Sequence, residues 1–208
     1  IDLALVKRWI ATCERGHGTC RRIEAEMPTG VHLSSAQPLE ILLVDVQNLC
    51  LVKATTRSRY LALSYVWGNV QQLMATKSAT DLFQPQGLIP RLKEIPRTIL
   101  DAFQFAGKIS ERYVWVDSLC IIQDDEELKH HQISRMGEIY SGATATIIAA
   151  TGEDADSRLP GLQRGTRTGM SSYRFHEVFS QPMLCRPLNP GHPLRSLAET
   201  KYSTRGWT

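Results

Sequence analysis

A carboxylate, a thiol and a carboxamide recur at three-residue spacing in Asp117-Ser118-Leu119-Cys120-Ile121-Ile122-Gln123, directly after the apolar run Val114-Trp115-Val116. A carboxylate can stabilise a developing cation, a thiol can act as a nucleophile, and a carboxamide can both donate and accept hydrogen bonds. A second polar set, Ser64, Trp67 and Asn69, follows another apolar run, Tyr60-Leu61-Ala62-Leu63. The same residue types also have structural uses. An aspartate after a strand caps the next turn, a cysteine fills a small core position, and a tryptophan beside a turn is a core aromatic.

What favours chemistry is the elements that carry the two sets. Val114 to Val116 is a short β-favouring run, the pattern of a strand buried on both faces of a parallel sheet. Asp117 then falls at the strand's carboxyl end, the edge at which open α/β sheets bind ligands. The Tyr60–Leu63 run reads the same way and is closed by Gly68-Asn69, residues that tolerate left-handed backbone. Ser64, Trp67, Asn69, Asp117, Cys120 and Gln123 are therefore the predicted binding residues of one shared cleft.

Around these strands the chain has a readable order. Leu3, Val6, Trp9, Ile10 and Cys13 predict an amphipathic helix over residues 1–13, and residues 27–38 a loop. Cys13-x3-His17-x2-Cys20 has the residue types of a partial zinc site. Only three ligands are local, and the other candidates, His32 and Cys50, are distant, so no metal is expected. Ile41 to Val46 and Leu49 to Val52 predict a hairpin around Gln47-Asn48, and Arg57 to Arg59 read as exposed. Pro96 should open a helix, in its first turn, that runs to about residue 109. Leu128, Gln132, Ile133, Met136, Ile139 and Tyr140 predict one helix from Glu126 to Ser141. Asp124 to Glu127 lie at its positive end and Glu138 on its solvated side. Ala143 to Ala150 reads as a further buried strand, and strand-like runs recur at Tyr173 to Phe179 and Met183 to Cys185. Strands alternating with helices through the middle of the chain predict an α/β fold built on a parallel unit.

With 42% hydrophobic and 22% charged residues among 208, the composition is that of a soluble domain with or without an extension. A net charge of +3 without a basic block gives no reason to expect a nucleic-acid partner. No apolar run approaches membrane-spanning length, and no signal peptide is visible, although the chain starts at Ile1 rather than Met. Five cysteines, an odd number with no framework spacing, suit a reducing compartment, by default the cytoplasm.

Three motifs together resemble the fungal heterokaryon-incompatibility (HET) domain: Tyr60-Leu-Ala-Leu-Ser-Tyr-Val-Trp-Gly68, Tyr113-Val-Trp-Val-Asp-Ser-Leu-Cys-Ile-Ile-Gln123 and Met136-Gly-Glu-Ile-Tyr-Ser-Gly-Ala143. Ile95-Pro96-Arg97-Thr98-Ile99, Gly161-Leu162 and the Trp9 to Cys20 lead-in fit as well. Ser203-Thr204-Arg205-Gly206-Trp207-Thr208 resembles the closing motif, in which a Trp-Thr pair is followed by Gln-Glu. Trp207 is expected to anchor a helix start capped by Thr204.

The resemblance implies a role in fungal non-self recognition, in which activation triggers programmed cell death after unlike strains fuse. It also implies a distant relation to TIR domains, some of which cleave NAD at the nicotinamide–ribose bond. The implied fold is TIR-like (flavodoxin-like), a mostly parallel sheet flanked by helices. Residues 1–38 would form the N-terminal helix and lead-in, 39–165 the HET-like domain with its hairpin, and 166–208 an irregular extension truncated at the closing motif. By analogy the catalytic glutamate lies just beyond Thr208 with Asp117 supporting it, so the 208-residue chain should be silent toward NAD. NAD would be a substrate, with no cofactor. Ser64, Trp67 and Asn69 would hold ribose and base, and Asp117 and Gln123 would position hydroxyls. Self-association and other incompatibility or signalling proteins are the implied partners. The alternative is a non-catalytic module acting by assembly and recruitment. An enzyme built on a Cys120 nucleophile would need a histidine partner, and none stands in a recognisable context.

Overall fold

The apolar runs between residues 40 and 148 become five strands of one sheet: β1 (Glu40–Asp45), β2 (Cys50–Thr55), β3 (Leu61–Ser64), β4 (Tyr113–Trp115) and β5 (Ala145–Ile148). The structure is a computed structural model that describes residues 1–16, 37–166, 174–178, 181–185 and 200–204. The strand order is β2-β1-β4-β3-β5. β3 runs parallel to both β4 and β5, and all four of its residues are buried. β1 pairs antiparallel with both β2 and β4. The sheet is thus mixed rather than mostly parallel, because the hairpin docks its first strand against β4 and adds an antiparallel half.

Helices α1 (Leu3–Gly16), α2 (Arg97–Lys108), α3 (Asp117–Cys120), α4 (Glu126–Ser134) and α5 (Met136–Gly142) complete the framework. α2 lies in the β3-to-β4 crossover and buries Ile99, Ala102, Phe103 and Ala106. Pro96 sits one position ahead of the first turn, as its N-cap. α3 to α5 carry the chain from β4 to β5 on the far side of β3. On α5, Ile139 is buried and its carbonyl accepts the Tyr60 hydroxyl, while the Tyr140 ring meets buried Trp115 edge-on at 5.5 Å. β6 (Arg174–Val178) and β7 (Gln181–Cys185) fall on the two strand-like runs and form a separate antiparallel pair.

Three expectations need correction. The single helix over 126–141 is broken at Arg135, whose backbone (φ −110°, ψ 17°) leaves the helical region. Leu128 and Ile133 lie five positions apart and cannot share one face. α4 accordingly buries nothing, and both side chains are exposed. β5 is an edge strand, not a buried one, and Ile148 is 51% exposed. On α1, Leu3, Val6 and Ile10 pack on the core, but Trp9 falls at the margin of that stripe and is exposed. Arg59 is exposed as expected, yet its guanidinium joins Glu14 of α1 to Glu111 beside β4. His17, Cys20 and Trp207, on which the zinc-site and closing-anchor expectations turn, lie outside the described residues. Among the described residues no His, Cys, Asp and Glu cluster of three or more could hold a metal. No described helix is long and apolar enough to cross a membrane.

Asp45 ties the hairpin to β4. Its carboxylate accepts from the Gln47 and Asn48 backbone N–H groups (3.0 and 3.1 Å) and from Asn48 Nδ2 (2.9 Å). The Arg112 guanidinium pairs with it at 2.7 Å. Burial pushes its pKa up, but Arg112 and the Asn48 and Gln47 donors together outweigh that and hold it below the ordinary aspartate value. A depressed folded pKa stabilises the fold fully above the unfolded value of about 3.9. That contribution is lost as pH falls through the lower, folded value. Asp45→Asn is therefore expected to lower the urea midpoint at pH 7, with the gap to wild type closing below about pH 4. A gap that is unchanged at pH 3 would show that the charge is not what Asp45 contributes.

Candidate functional site

Parallel pairing puts the carboxyl ends of β3 and β4 at one sheet edge, and a cavity of about 350 Å³ opens there. Val66 and Trp67 line it from beyond β3, and Asp117, Ile121 and Gln123 from beyond β4. Lys129, Ile133 and Met136 close it from α4 and α5.

Asp117 is 7% exposed and opens the single turn of α3. Trp67 Nε1 donates to its Oδ2 at 2.9 Å, and the Ser118 N–H donates to its Oδ1 at 2.8 Å. The indole and the carboxylate therefore hold each other in place. Gln123 Nε2 donates to the carbonyls of Asp117 (3.0 Å) and Ile121 (3.1 Å), closing the turn beneath the carboxylate. Backbone bonds from Ala75 N to Ser118 O and from Gln123 N to Ala75 O pin that turn to the 73–75 segment. Behind it, Tyr65 Oη lies 2.9 Å from Gln72 Oε1 and 3.1 Å from Ser118 Oγ. A phenol has one proton to give, so the serine hydroxyl can donate in the second contact.

Trp67 is held from the other side by the 152–157 loop. Ala155 N donates to Trp67 O at 3.2 Å, and Gly68 takes a left-handed φ of +62° against Asp154.

Three of the predicted residues do not line the cavity. Ser64 is buried, and its carbonyl accepts from Ala149 N at 2.9 Å beside β5. Asn69 is exposed beyond the turn. Cys120 is fully buried beneath α3: Val116 N donates to its Sγ at 3.4 Å, and Sγ contacts Val114 O at 3.9 Å. Burial pushes its thiol up to about 12, which removes the thiolate a nucleophile needs. Iodoacetamide at pH 8 should leave Cys120 unmodified in the folded protein and alkylate it in urea, as read by peptide mass spectrometry. Rapid native labelling of Cys120 would overturn this placement. Sequence reading also missed Lys129, Ile133 and Met136. Their i, i+4, i+7 spacing was the available signal, because it places them on one helical side. Lys129 brings a cation to the wall of a cavity that also holds a carboxylate. Its ammonium lies 3.7 Å from Glu126.

A model of the family described as heterokaryon incompatibility protein (HET) matches residues 60–208, well over half of the chain. This chain belongs to the HET family. The matched range opens at Tyr60, the first residue of the β3 motif, and takes in every residue lining the HET cavity. α1 and the β1–β2 hairpin lie ahead of it, although β1 is integral to the sheet of this HET protein. Heterokaryon incompatibility protein 6, OR allele, from Neurospora crassa is 32% identical over 93 residues, which cover 43% of this chain and 14% of that relative. No solved structure matches the HET chain.

Proposed function

We propose that this HET chain serves fungal non-self recognition, triggering cell death on activation, and that the Trp67–Asp117 cavity binds the ligand on which that response depends. The observation that carries the reading is the carboxylate of Asp117, held by the Trp67 indole at the carboxyl edge of parallel strands in a small-molecule-sized cavity. The finer reading is TIR-like cleavage of NAD. In its favour, β3, β4 and β5 stand in the spatial order second, first, third of the parallel strands, the order that begins a flavodoxin-like sheet. An aromatic surface, a carboxylate and the Lys129 cation offer groups for a base, ribose hydroxyls and a phosphate. A carboxylate facing the oxocarbenium-like state would stabilise it electrostatically.

One feature favours a non-catalytic reading. Asp117 is the carboxylate lining the cavity, and both of its oxygens already accept hydrogen bonds, as those of an orienting group do rather than a nucleophile's. Catalysis then rests on the glutamate that the family resemblance places just beyond Thr208. The test compares this chain with the same chain carrying the appended Gln-Glu pair, by NAD calorimetry and nicotinamide release. Binding by both and cleavage by the extended chain alone is the expected result. Binding without cleavage by either, even when concentrated, favours the recruitment module. Absence of NAD binding by both would overturn the NAD reading.

A further inference from the structure

A second cavity, of about 770 Å³, lies back to back with the first, between α4 and the β1–β2 hairpin. The two share a wall. The backbone becomes extended at Ile121, and the side chains from there divide between the cavities: Ile121 and Gln123 line the first, and Ile122 lines the second. α4 divides in the same way. Lys129 and Ile133 line the first cavity, while Leu128, His131 and Gln132 line the second. α4 buries none of its own residues, so the partition between the cavities is held mainly at its ends. At one end, Asp125 caps α4 through Leu128 N and pairs with Lys77 at 2.9 Å. At the other, the chain passes through Arg135 into α5.

The lining of the second cavity specifies a ligand class. Leu39, Leu42, Phe83, Ile122 and Leu128 give it apolar walls. Lys53 and Arg135 supply cationic groups and His131 an imidazole against the single lining acid Glu40, and Arg135 is also engaged by Glu138. Gln132 Oε1 is buried and accepts no hydrogen bond among the described residues, so it can take a donor from a ligand. An apolar body, an anionic head and one N–H or O–H donor would satisfy all three features.

We propose that this cavity is a regulatory site for a small anionic amphiphile, whose binding repositions the α4 wall and is felt at Trp67 in the first cavity. The regulatory meaning rests on the first cavity being the ligand-binding centre. The test uses neither NAD nor cell death, so its failure would leave that reading standing.

The probe is 8-anilinonaphthalene-1-sulfonate, which combines an aromatic body, a sulfonate and an anilino N–H. It should bind one per chain by fluorescence titration. Lys53→Glu should weaken binding about tenfold or more, and Gln132→Leu a few-fold. Trp9→Ala, which removes the exposed tryptophan of α1, should leave the affinity unchanged. In protein labelled with 5-fluorotryptophan, the Trp67 resonance, assigned by Trp67→Phe, should shift on saturation while that of Trp9 does not. Both substituted second-cavity residues are partly or wholly at the surface, and circular dichroism should confirm that both variants fold. Binding indifferent to Lys53→Glu and Gln132→Leu, or a Trp67 resonance that does not move at saturation, would overturn the proposal.

Discussion

Asp117→Asn is expected to silence the proposed death response while leaving the amount of folded protein nearly unchanged. Asparagine keeps one acceptor oxygen, so either the Trp67 indole or the Ser118 N–H retains its partner and the other loses it. One such lost bond to a carboxylate costs about 1.5–3 kcal/mol, too little to empty the native state of a typical domain. What disappears entirely is the negative charge. If that charge faces a developing cation or fixes ligand hydroxyls, its loss reduces function on the order of a hundredfold or more. The measurement is cell death on expression in a fungal host, read beside soluble yield and urea midpoint. A matching fall in yield and midpoint would return Asp117 to a structural role. Trp67→Phe is a useful companion, because it keeps an aromatic surface and removes only the donor that holds the carboxylate.

Gly68→Ala should be the most damaging single-methyl change near the cavity. At φ +62° a non-glycine residue costs about 1 kcal/mol or more. The added Cβ would also stand 2.5 Å from Asp154 Cβ and 3.0 Å from Asp154 Cα, neither of which is a flexible side-chain tip. The 152–157 loop would have to move, and overpacking of this kind typically costs a further 1–3 kcal/mol, roughly. A total near ~3 kcal/mol corresponds to a melting temperature lower by about 6–12 °C for a domain of this size. The same loop donates to the Trp67 carbonyl, so the indole should shift and ligand affinity should fall with stability. Gly107 is the control. Its added Cβ meets nothing within 4 Å inside α2, and Gly107→Ala should stabilise by about 0.5–1 kcal/mol. Gly68→Ala with wild-type stability would mean that the 152–157 loop yields freely and does not hold Trp67.

Local pattern was enough to find β1, β2, β3, β4 and α2, because each is a run whose period or turn chemistry is complete within a few residues. It also placed Trp67, Asp117 and Gln123 at strand ends, since a strand end is where an apolar run stops. The motifs of Tyr60 to Gly68, Tyr113 to Gln123 and Met136 to Ala143 together pointed to the family, which the match over residues 60–208 shows. Side-chain direction at the edge was another matter. Asp117 and Cys120 sit three apart on one helical turn, which suggested a common face, but the backbone becomes extended at Ile121 and the period changes there. Cys120 consequently turns back under β4, and Ile121 and Gln123 take the cavity. Antiparallel docking of β1 on β4 was equally out of reach, because it depends on Val44 meeting Val114 and on Asp45 finding Arg112, 67 residues apart. The break at Arg135 separates α5, which buries Ile139, from α4, which stays on the surface and carries Lys129 in the cavity wall. For β1 the deciding interactions join segments far apart in the chain, and for Cys120 and α4 they are backbone breaks at Ile121 and Arg135; a local pattern of types and periods carries no record of either.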